Sequence, residues 1–176
     1  MSKGNLKKAM PLYEACLEGR RCIFGDEHPD TCSTLEAIGD CWSEKGQYGK
    51  ALTIFENCLE IHRRLHGDDH PFTISSLSVL AQCHLDKGKP RSAIPLFEAC
   101  LEAKRRLRGQ MHISTLNSMF DLAECYKEDK QFQRALELYE ECLEGRQSLL
   151  GSEHKDTVDC TKGVASMNKR LKRQGK

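Results

Sequence analysis

Long apolar stretches are missing from this 176-residue sequence. Its apolar residues never run for even ten positions without interruption, which is too short for a membrane-spanning helix. The first twenty residues also lack the apolar centre of a signal peptide. We therefore expect a soluble, cytoplasmic protein that has no membrane partner.

An excess of charge of one sign is also missing. The 27 Lys and Arg residues almost balance the 26 Asp and Glu residues, although charged residues make up 30% of the chain. A balanced chain has no global field to attract nucleic acid or an anionic membrane. We expect no nucleic-acid partner, and any charge-driven binding must come from local patches.

Motifs for catalysis, cofactors and metals are absent as well. Ten cysteines are present, but no two are spaced as C-x2-C, and there is no Gly-rich phosphate loop or nucleophile elbow. Cys58, His62 and His66 recur every four residues and would share a helix face, but a zinc site needs further convergent ligands. We therefore expect no enzyme, no cofactor and no metal.

Internal repetition is the strongest feature that is present. The segment Gly-Asp-Glu-His-Pro-Asp-Thr, which begins at Gly25, returns in related form from Gly67, Gly109 and Gly151. These four glycines are equally spaced, so the period is constant and contains no insertion. A second motif, which begins at Ala9, keeps the same period along the chain. Repeats of this length indicate an array of stacked helical units.

The small residues within the repeat distinguish between helical arrays, since a period of about 42 residues also suits three-helix armadillo or HEAT units. Large, large, small and aromatic residues follow one another in the first helix, and small and aromatic residues follow in the second: Leu35, Ile38, Gly39, Trp42, then Ala51 and Phe55. This order resembles the tetratricopeptide signature, in which the small residues let two antiparallel helices approach closely. The additional Gly-x-x-His-Pro loop resembles kinesin light chains and the arrays attached to NB-ARC-type ATPases.

The resemblance implies an all-α fold, a right-handed superhelical solenoid of antiparallel helix pairs with about eight helices. We expect residues 1–176 to form a single array. A lone second helix over residues 6–23 precedes three repeats, at 30–66, 72–108 and 114–150, and a lone first or capping helix follows at 156–174.

Most of the cysteines follow the repeat and are expected to be small buried hydrophobic residues. These are Cys16, Cys32, Cys41, Cys58, Cys83, Cys100, Cys125 and Cys142. Cys22 and Cys160 fall at other positions. The equivalents of Cys160 are Thr34, Ser76 and Ser118, which are typical of a wet surface, so we expect both thiols to be exposed.

The family register places function in a groove lined by the first helices. The implied groove positions are Ser33, Glu36, Asp40, Glu44, Ser75, Ser78, Gln82, Leu85, Asn117, Phe120, Asp121, Glu124, Lys162, Ser166 and Lys169. Glu36, Asp40 and Glu44, the acidic stripe, are four residues apart, and like charges at that spacing cost about 0.2–0.5 kcal/mol per pair. The stripe indicates either a binding use or a solvated face neutralised by nearby lysines.

We expect an adaptor, scaffold or sensor that binds a basic partner peptide with an apolar anchor for Leu85 and Phe120. A negative potential is expected over the first and third repeats. The Lys, Asn and Arg clamp that holds chaperone C-termini is not expected, because Glu36 and Asp40 occupy clamp positions. The alternative is an architectural spacer that positions neighbouring repeats.

The two lone helices suggest a further contact between copies of the chain. Ala9, Leu12 and Tyr13 are expected to lack a partner helix, as are Val164 and Ala165. One molecule's closing helix could dock on the next molecule's opening helix, giving a head-to-tail association.

Overall fold

The computed structural model describes residues 3–174, which form helices and connecting loops with no strand in that range. The helices are α1 (Lys3–Phe24), α2 (Pro29–Glu44), α3 (Tyr48–His66), α4 (Pro71–Asp86), α5 (Pro90–Arg108), α6 (Ile113–Glu128), α7 (Phe132–Leu150) and α8 (Lys155–Gln174). The predicted all-α class is confirmed. The grouping of these helices into repeats of one array stays a prediction.

The histidines of the repeated loop start helices. In each loop the imidazole Nδ1 accepts the backbone N–H two residues further on, at 3.1 to 3.3 Å: His28, His70, His112 and His154. A side-chain acceptor at this position satisfies one of the N–H groups that the first helical turn leaves unpaired. These four histidines therefore serve as the N-terminal caps of α2, α4, α6 and α8.

The loop glycines and threonines close the same turn. Gly25 has a φ of 86°, in the left-handed region that glycine adopts without a steric cost. Its carbonyl accepts a hydrogen bond of 2.8 Å from the hydroxyl of Thr31, which is fully buried. Thr73 and Thr115 donate to the carbonyls of Gly67 and Gly109 in the same way, so in these three loops glycine makes the turn and threonine holds it closed.

Unit 1 consists of α1 to α4 and ends at Gly88, and each of its helices packs against the next. One apolar cluster joins Met10 and Leu17 of α1 to Ile38 and Cys41 of α2. A second cluster joins Cys32 of α2 to residues of α3. Phe55 of α3 is almost fully buried, and its ring lies against the backbone of Gly39.

Unit 2 begins at Lys89 and consists of α5 to α8, again with each helix packed against the next. Tyr139 of α7 is fully buried, and its ring lies against the backbone of Gly163 in α8. Leu116 of α6 lies in the same way against Gly145 of α7. Glycine therefore allows the close helix approach on which both units depend.

Replacing Gly39 by alanine is expected to destabilise unit 1 although alanine favours helices. The added Cβ would lie 2.5 Å from Cε1 of Phe55, a ring that is 1% exposed and has no room to move. Overpacking costs about 1–3 kcal/mol, against a helix-propensity gain of about 1 kcal/mol. Urea unfolding should show the loss, and Phe55→Leu should recover part of it.

Gly19→Ala is the matched control for this substitution. Gly19 is also helical, but a Cβ there would meet no atom within 4 Å. Only the propensity gain remains, so this variant should be slightly more stable than the parent. A Gly39→Ala protein as stable as Gly19→Ala would contradict the close packing of α2 on α3.

Candidate functional site

The acidic stripe lies along α2, with Asp40 and Glu44 exposed and Glu36 half-buried. Glu36 is partly covered because α4 lies beside it, and its carboxylate accepts a hydrogen bond of 2.5 Å from the hydroxyl of Ser76. The stripe therefore begins in a cleft between two first helices and continues into solvent along α2.

The field around the stripe is negative. Burial raises the pKa of Glu36 above its ordinary value, the Ser76 hydrogen bond acts in the opposite direction, and Asp40 raises it further. Burial also raises the pKa of Asp40, with a further contribution from Glu44. Two carboxylates with raised pKa values thus stand side by side on this surface, where an external cation would relieve their repulsion.

The lysines nearest to the stripe in sequence are engaged with an aromatic ring. The ammonium groups of Lys45 and Lys50 lie 4.9 Å and 4.1 Å from the centre of the Trp42 ring. Cation–π contacts of this kind hold a lysine at the face of the ring.

The other predicted groove positions of unit 1 are mostly exposed and polar. Ser33 and Ser75 are exposed on α2 and α4, and the Ser33 hydroxyl donates to the carbonyl of Pro29. Ser78 is half-buried and donates to the carbonyl of Ile74. The amide of Gln82 is exposed and donates to Asp86 at 2.7 Å.

Leu85 is the apolar member of this set. It lies at the end of α4 and is half-buried, so part of its side chain faces solvent. Because α4 carries Ser76, which binds Glu36 of the stripe, Leu85 is one of the apolar side chains of unit 1 that a partner could contact.

Arg146 organises the predicted residues of unit 2. Its guanidinium donates to the amide oxygen of Asn117 at 2.9 Å and lies 4.9 Å from the centre of the Phe120 ring. Phe120 also meets the edge of Tyr139, at 5.6 Å between ring centres. The Phe120 ring is therefore already packed within unit 2 and is a poorer anchor than expected.

The acidic groups of unit 2 have cations beside them. Burial raises the pKa of Asp121, but Lys104 and Arg146 act against that shift. Glu124 is bound by Lys127 of the same helix. The negative potential expected over the third repeat is thus offset locally.

Two of the predicted groove residues on α8 are positively charged. Lys162 and Lys169 are exposed, and Lys162 forms an ion pair of 2.9 Å with Asp159. Ser166 is half-buried. These residues do not extend the acidic surface.

The residues predicted to associate head to tail are only partly available. Tyr13, which was predicted to lack its own preceding first helix, is half-buried and packs on the cluster that includes Ile38 and Cys41 of the following helix α2. The other positions vary in exposure: Leu12 and Ala165 are exposed, while Ala9 and Val164 are half-buried. The head-to-tail contact itself stays a prediction.

A recurring polar contact was missed at the level of sequence. A basic side chain on each second helix meets a hydroxyl or thiol on the first helix that follows: Arg20 and Thr34 at 2.8 Å, His62 and Ser76 at 2.9 Å, Lys104 and Ser118 at 2.7 Å, and Arg146 and Cys160 at 3.3 Å. We call these the buried polar pairs. Their signal was visible, because both members recur with the period of the repeat.

Two predictions about the cysteines are wrong. Cys160 was expected to be exposed but is fully buried, because its position faces the basic member of a buried polar pair. Cys16 was expected to be buried but is exposed, because α1 packs on α2 through the face that carries Met10 and Leu17. Cys22 is exposed as predicted, and the remaining predicted core cysteines are buried.

Thiol labelling should follow this corrected pattern. Cys16 and Cys22 should react rapidly with an aromatic disulfide reagent, and the eight buried cysteines should react slowly, because burial withholds the thiolate from solvent. Mass mapping of peptides labelled early is the measurement. Rapid modification of Cys83 or Cys100 in the folded protein would contradict the packing described here.

The metal and membrane alternatives find no support in the part of the chain that the structure describes. Within it, no three His, Cys, Asp or Glu side chains converge as metal ligands would. His62 instead pairs with Ser76, at 2.9 Å. None of the helices in the described range has the length and apolar character needed to cross a bilayer.

Comparison with known proteins gives consistent matches along the chain. A family model for the tetratricopeptide repeat matches residues 41–106, 92–148 and 112–176, and a second model of the same description matches residues 1–30. No curated protein matches the sequence closely enough to count as a relative.

Several solved structures share the fold. Nearly identical TPR-like repeats from Podosopora anserina, in a protein named for kinesin light chain, match with a TM-score of 0.85 and 24% identity over 98% of this chain and 82% of that chain. BtubC (BKLC) from P. vanneervenii matches with a TM-score of 0.82 and 20% identity over 95% of this chain and 66% of that chain. The Sgt2 TPR domain from Aspergillus fumigatus matches with a TM-score of 0.60 and 15% identity, over 84% of this chain and 83% of that chain.

Proposed function

This chain belongs to the tetratricopeptide repeat family of protein–protein interaction modules, and we propose that its α2 and α4 surface binds a basic partner peptide with an apolar side chain. The resemblance to the tetratricopeptide repeat seen in the sequence is confirmed, and the repeats of a protein named for kinesin light chain share the fold. Proteins of this family are typically non-enzymatic adaptors, which agrees with the absence of catalytic motifs from the sequence.

The observation that carries the proposal is the row of three carboxylates on α2, in which Glu36 is half-buried and Asp40 and Glu44 are exposed. Besides the larger effect of burial, Asp40 raises the pKa of Glu36 and Glu44 raises that of Asp40, so the neighbouring carboxylates repel one another and a positive charge beside them would be favourable. A lysine or arginine side chain of a partner would supply it. Binding would then relieve a repulsion that the free protein tolerates.

Two further features of α4 indicate which other groups the partner peptide carries. Leu85 is half-buried on α4 and offers an apolar contact beside the acidic stripe. The polar side chains of Ser75 and Gln82 are exposed on the same helix and can hydrogen-bond an extended or helical backbone. We therefore propose a peptide with several basic residues and one large apolar residue.

Fluorescence anisotropy with labelled peptides tests the proposal. A Lys- and Leu-containing peptide should bind, and its Glu- and Leu-containing counterpart should not. Affinity for the basic peptide should fall as salt rises from about 10 mM to about 150 mM, because the screening length shortens from about 30 Å to about 8 Å. Binding that does not depend on salt, or a preference for the acidic peptide, would contradict the proposal.

The same assay addresses the architectural alternative. A spacer has no dedicated ligand, so neither peptide should bind at any salt concentration. Saturable binding of the basic peptide would exclude a purely architectural role.

A further inference from the structure

Two cysteines of unit 2 lie unusually close together. The sulfur atoms of Cys142 on α7 and Cys160 on α8 are 3.3 Å apart, and both side chains are fully buried. A disulfide requires a sulfur separation of about 2.05 Å, so a small side-chain movement would bring the two atoms to bonding distance. The pair thus has the proximity for a bond between two neighbouring helices.

A fixed positive charge stands beside this pair. The guanidinium of Arg146 donates to the Cys160 sulfur at 3.3 Å and to the carbonyl of Asp156 at 2.8 Å. Its other terminal nitrogen donates to Asn117, and the side chain is almost fully buried. A cation held next to a sulfur favours the thiolate, which is the nucleophilic form of cysteine.

The two thiols differ in acidity. The hydrogen bond with Cys142 lowers the pKa of Cys160, burial acts in the opposite direction, and Arg146 lowers it further. The hydrogen bond with Cys160 raises the pKa of Cys142, and burial adds to this. Cys160, which Arg146 contacts directly, is therefore the more acidic thiol of the two.

The chain contains its own reference for this arrangement. Cys100 is the equivalent of Cys142, but the residue that faces it is Ser118, at 3.7 Å, and Lys104 binds that serine hydroxyl. Ser76 occupies the same place in the preceding repeat. A hydroxyl thus satisfies the packing and the basic partner, so the thiol at Cys160 is not required by the fold.

We propose that Cys142 and Cys160 form a redox-sensitive dithiol, which a hydroperoxide oxidises to a disulfide that joins α7 to α8. The Cys160 thiol releases its proton to solvent, its thiolate attacks an oxygen of the peroxide, the O–O bond breaks, and the leaving oxygen takes up one proton from solvent in exchange. The Cys142 sulfur then attacks the Cys160 sulfenic acid, and the S–O bond breaks. The departing hydroxide takes the Cys142 proton and leaves as water.

The electron balance of this reaction is complete. The two thiols together lose two electrons, and the peroxide gains them. Because both sulfur atoms are buried, the oxidant reaches them when α8 moves locally away from α7. Oxidation should therefore be slower than that of the exposed Cys22.

Peptide mapping after oxidation tests the proposal. The experiment uses a variant with Cys16→Ser and Cys22→Ser, which is the parent for this subsection. The two substitutions remove the exposed thiols and so prevent crosslinks between molecules. After treatment with hydrogen peroxide, the free thiols are blocked and the protein is digested without reduction. The expected product is a pair of peptides linked through Cys142 and Cys160. Its mass should be two hydrogen atoms below the sum of the two reduced peptides, and dithiothreitol should release the two peptides from each other.

Two additional measurements make the result decisive. Cys160→Ser copies the native residue of the neighbouring repeats, so it should fold, as circular dichroism will show, and lose the crosslink. The oxidised parent should unfold at a higher temperature than the reduced parent, because the bond restricts the unfolded chain. The proposal is overturned if the linked peptide forms only in denaturant, or if Cys142 is recovered unlinked while other buried thiols have been oxidised.

Discussion

Replacing Tyr139 by alanine is expected to lower the free energy of unfolding by about 3–5 kcal/mol, the usual cost of removing a buried aromatic side chain. Tyr139 is fully buried in α7, where its ring lies against Gly163 of α8 and the edge of Phe120 of α6. The ring therefore contacts both neighbouring helices at once, and its removal would leave a cavity between them. Urea unfolding followed by circular dichroism is the measurement.

Tyr139→Phe separates the ring from the hydroxyl. The hydroxyl donates to Glu124, a carboxylate that Lys127 also binds. Removing only that hydrogen bond should cost about 0.5–1.5 kcal/mol. If the alanine variant lost no more stability than the phenylalanine variant, the ring would not be the centre of packing between α6, α7 and α8.

Neutralising the acidic stripe with Glu36→Gln, Asp40→Asn and Glu44→Gln is expected to weaken binding of the basic peptide about tenfold or more at low salt. Each exposed charge contact contributes about 0.2–1 kcal/mol, and a tenfold change in affinity corresponds to about 1.4 kcal/mol. The matched control is Glu14→Gln, Glu18→Gln and Glu56→Gln, which removes the same charge from exposed positions on α1 and α3. The control should bind almost as well as the parent protein.

The stability of the stripe variant distinguishes weaker peptide binding from loss of the folded state. The pKa values of Glu36 and Asp40 are raised by burial, so the folded state holds their protons more tightly than the unfolded state does. Stability from these groups is present at low pH and is lost as pH rises through their folded pKa values. At neutral pH the variant should therefore be at least as stable as the parent, and acidification should favour the parent.

If the stripe variant and the parent bound the basic peptide with equal affinity, the acidic stripe would not be part of the binding site. A stripe variant that is less stable than the parent at neutral pH would instead show that the carboxylates serve the fold. The two outcomes are separated by measuring peptide affinity and urea unfolding on the same preparations.

The helices and their packing could be predicted because the residues that each structure requires occur again in every repeat. A glycine, a histidine and a threonine recur at each loop, and small residues recur where helices approach closely. Gly39 shows the physical reason, since even one added carbon atom would overlap the ring of Phe55. A requirement that recurs with a constant period is visible without coordinates.

The buried polar positions of the repeat were harder to interpret. Thr34, Ser76 and Ser118 are small and polar, which is typical of a surface, but each is buried against a basic side chain. Such a pair can be predicted only when the basic residue and the hydroxyl residue are both seen to recur with the repeat. The polarity of the hydroxyl positions alone led to the wrong prediction that Cys160 is exposed. The engagement of Phe120 with Arg146 depends on side-chain geometry, which a periodic pattern does not specify.

Nuclear magnetic resonance mapping of the basic peptide on the isotope-labelled protein tests the central claim most directly. If the α2 and α4 surface is the binding site, the largest shift changes should fall on backbone amides of residues 33–44 and 75–85, which carry the acidic stripe and Leu85. The acidic peptide should produce no comparable changes. Shift changes that centre on α3, or on unit 2, would contradict the assignment of the binding surface.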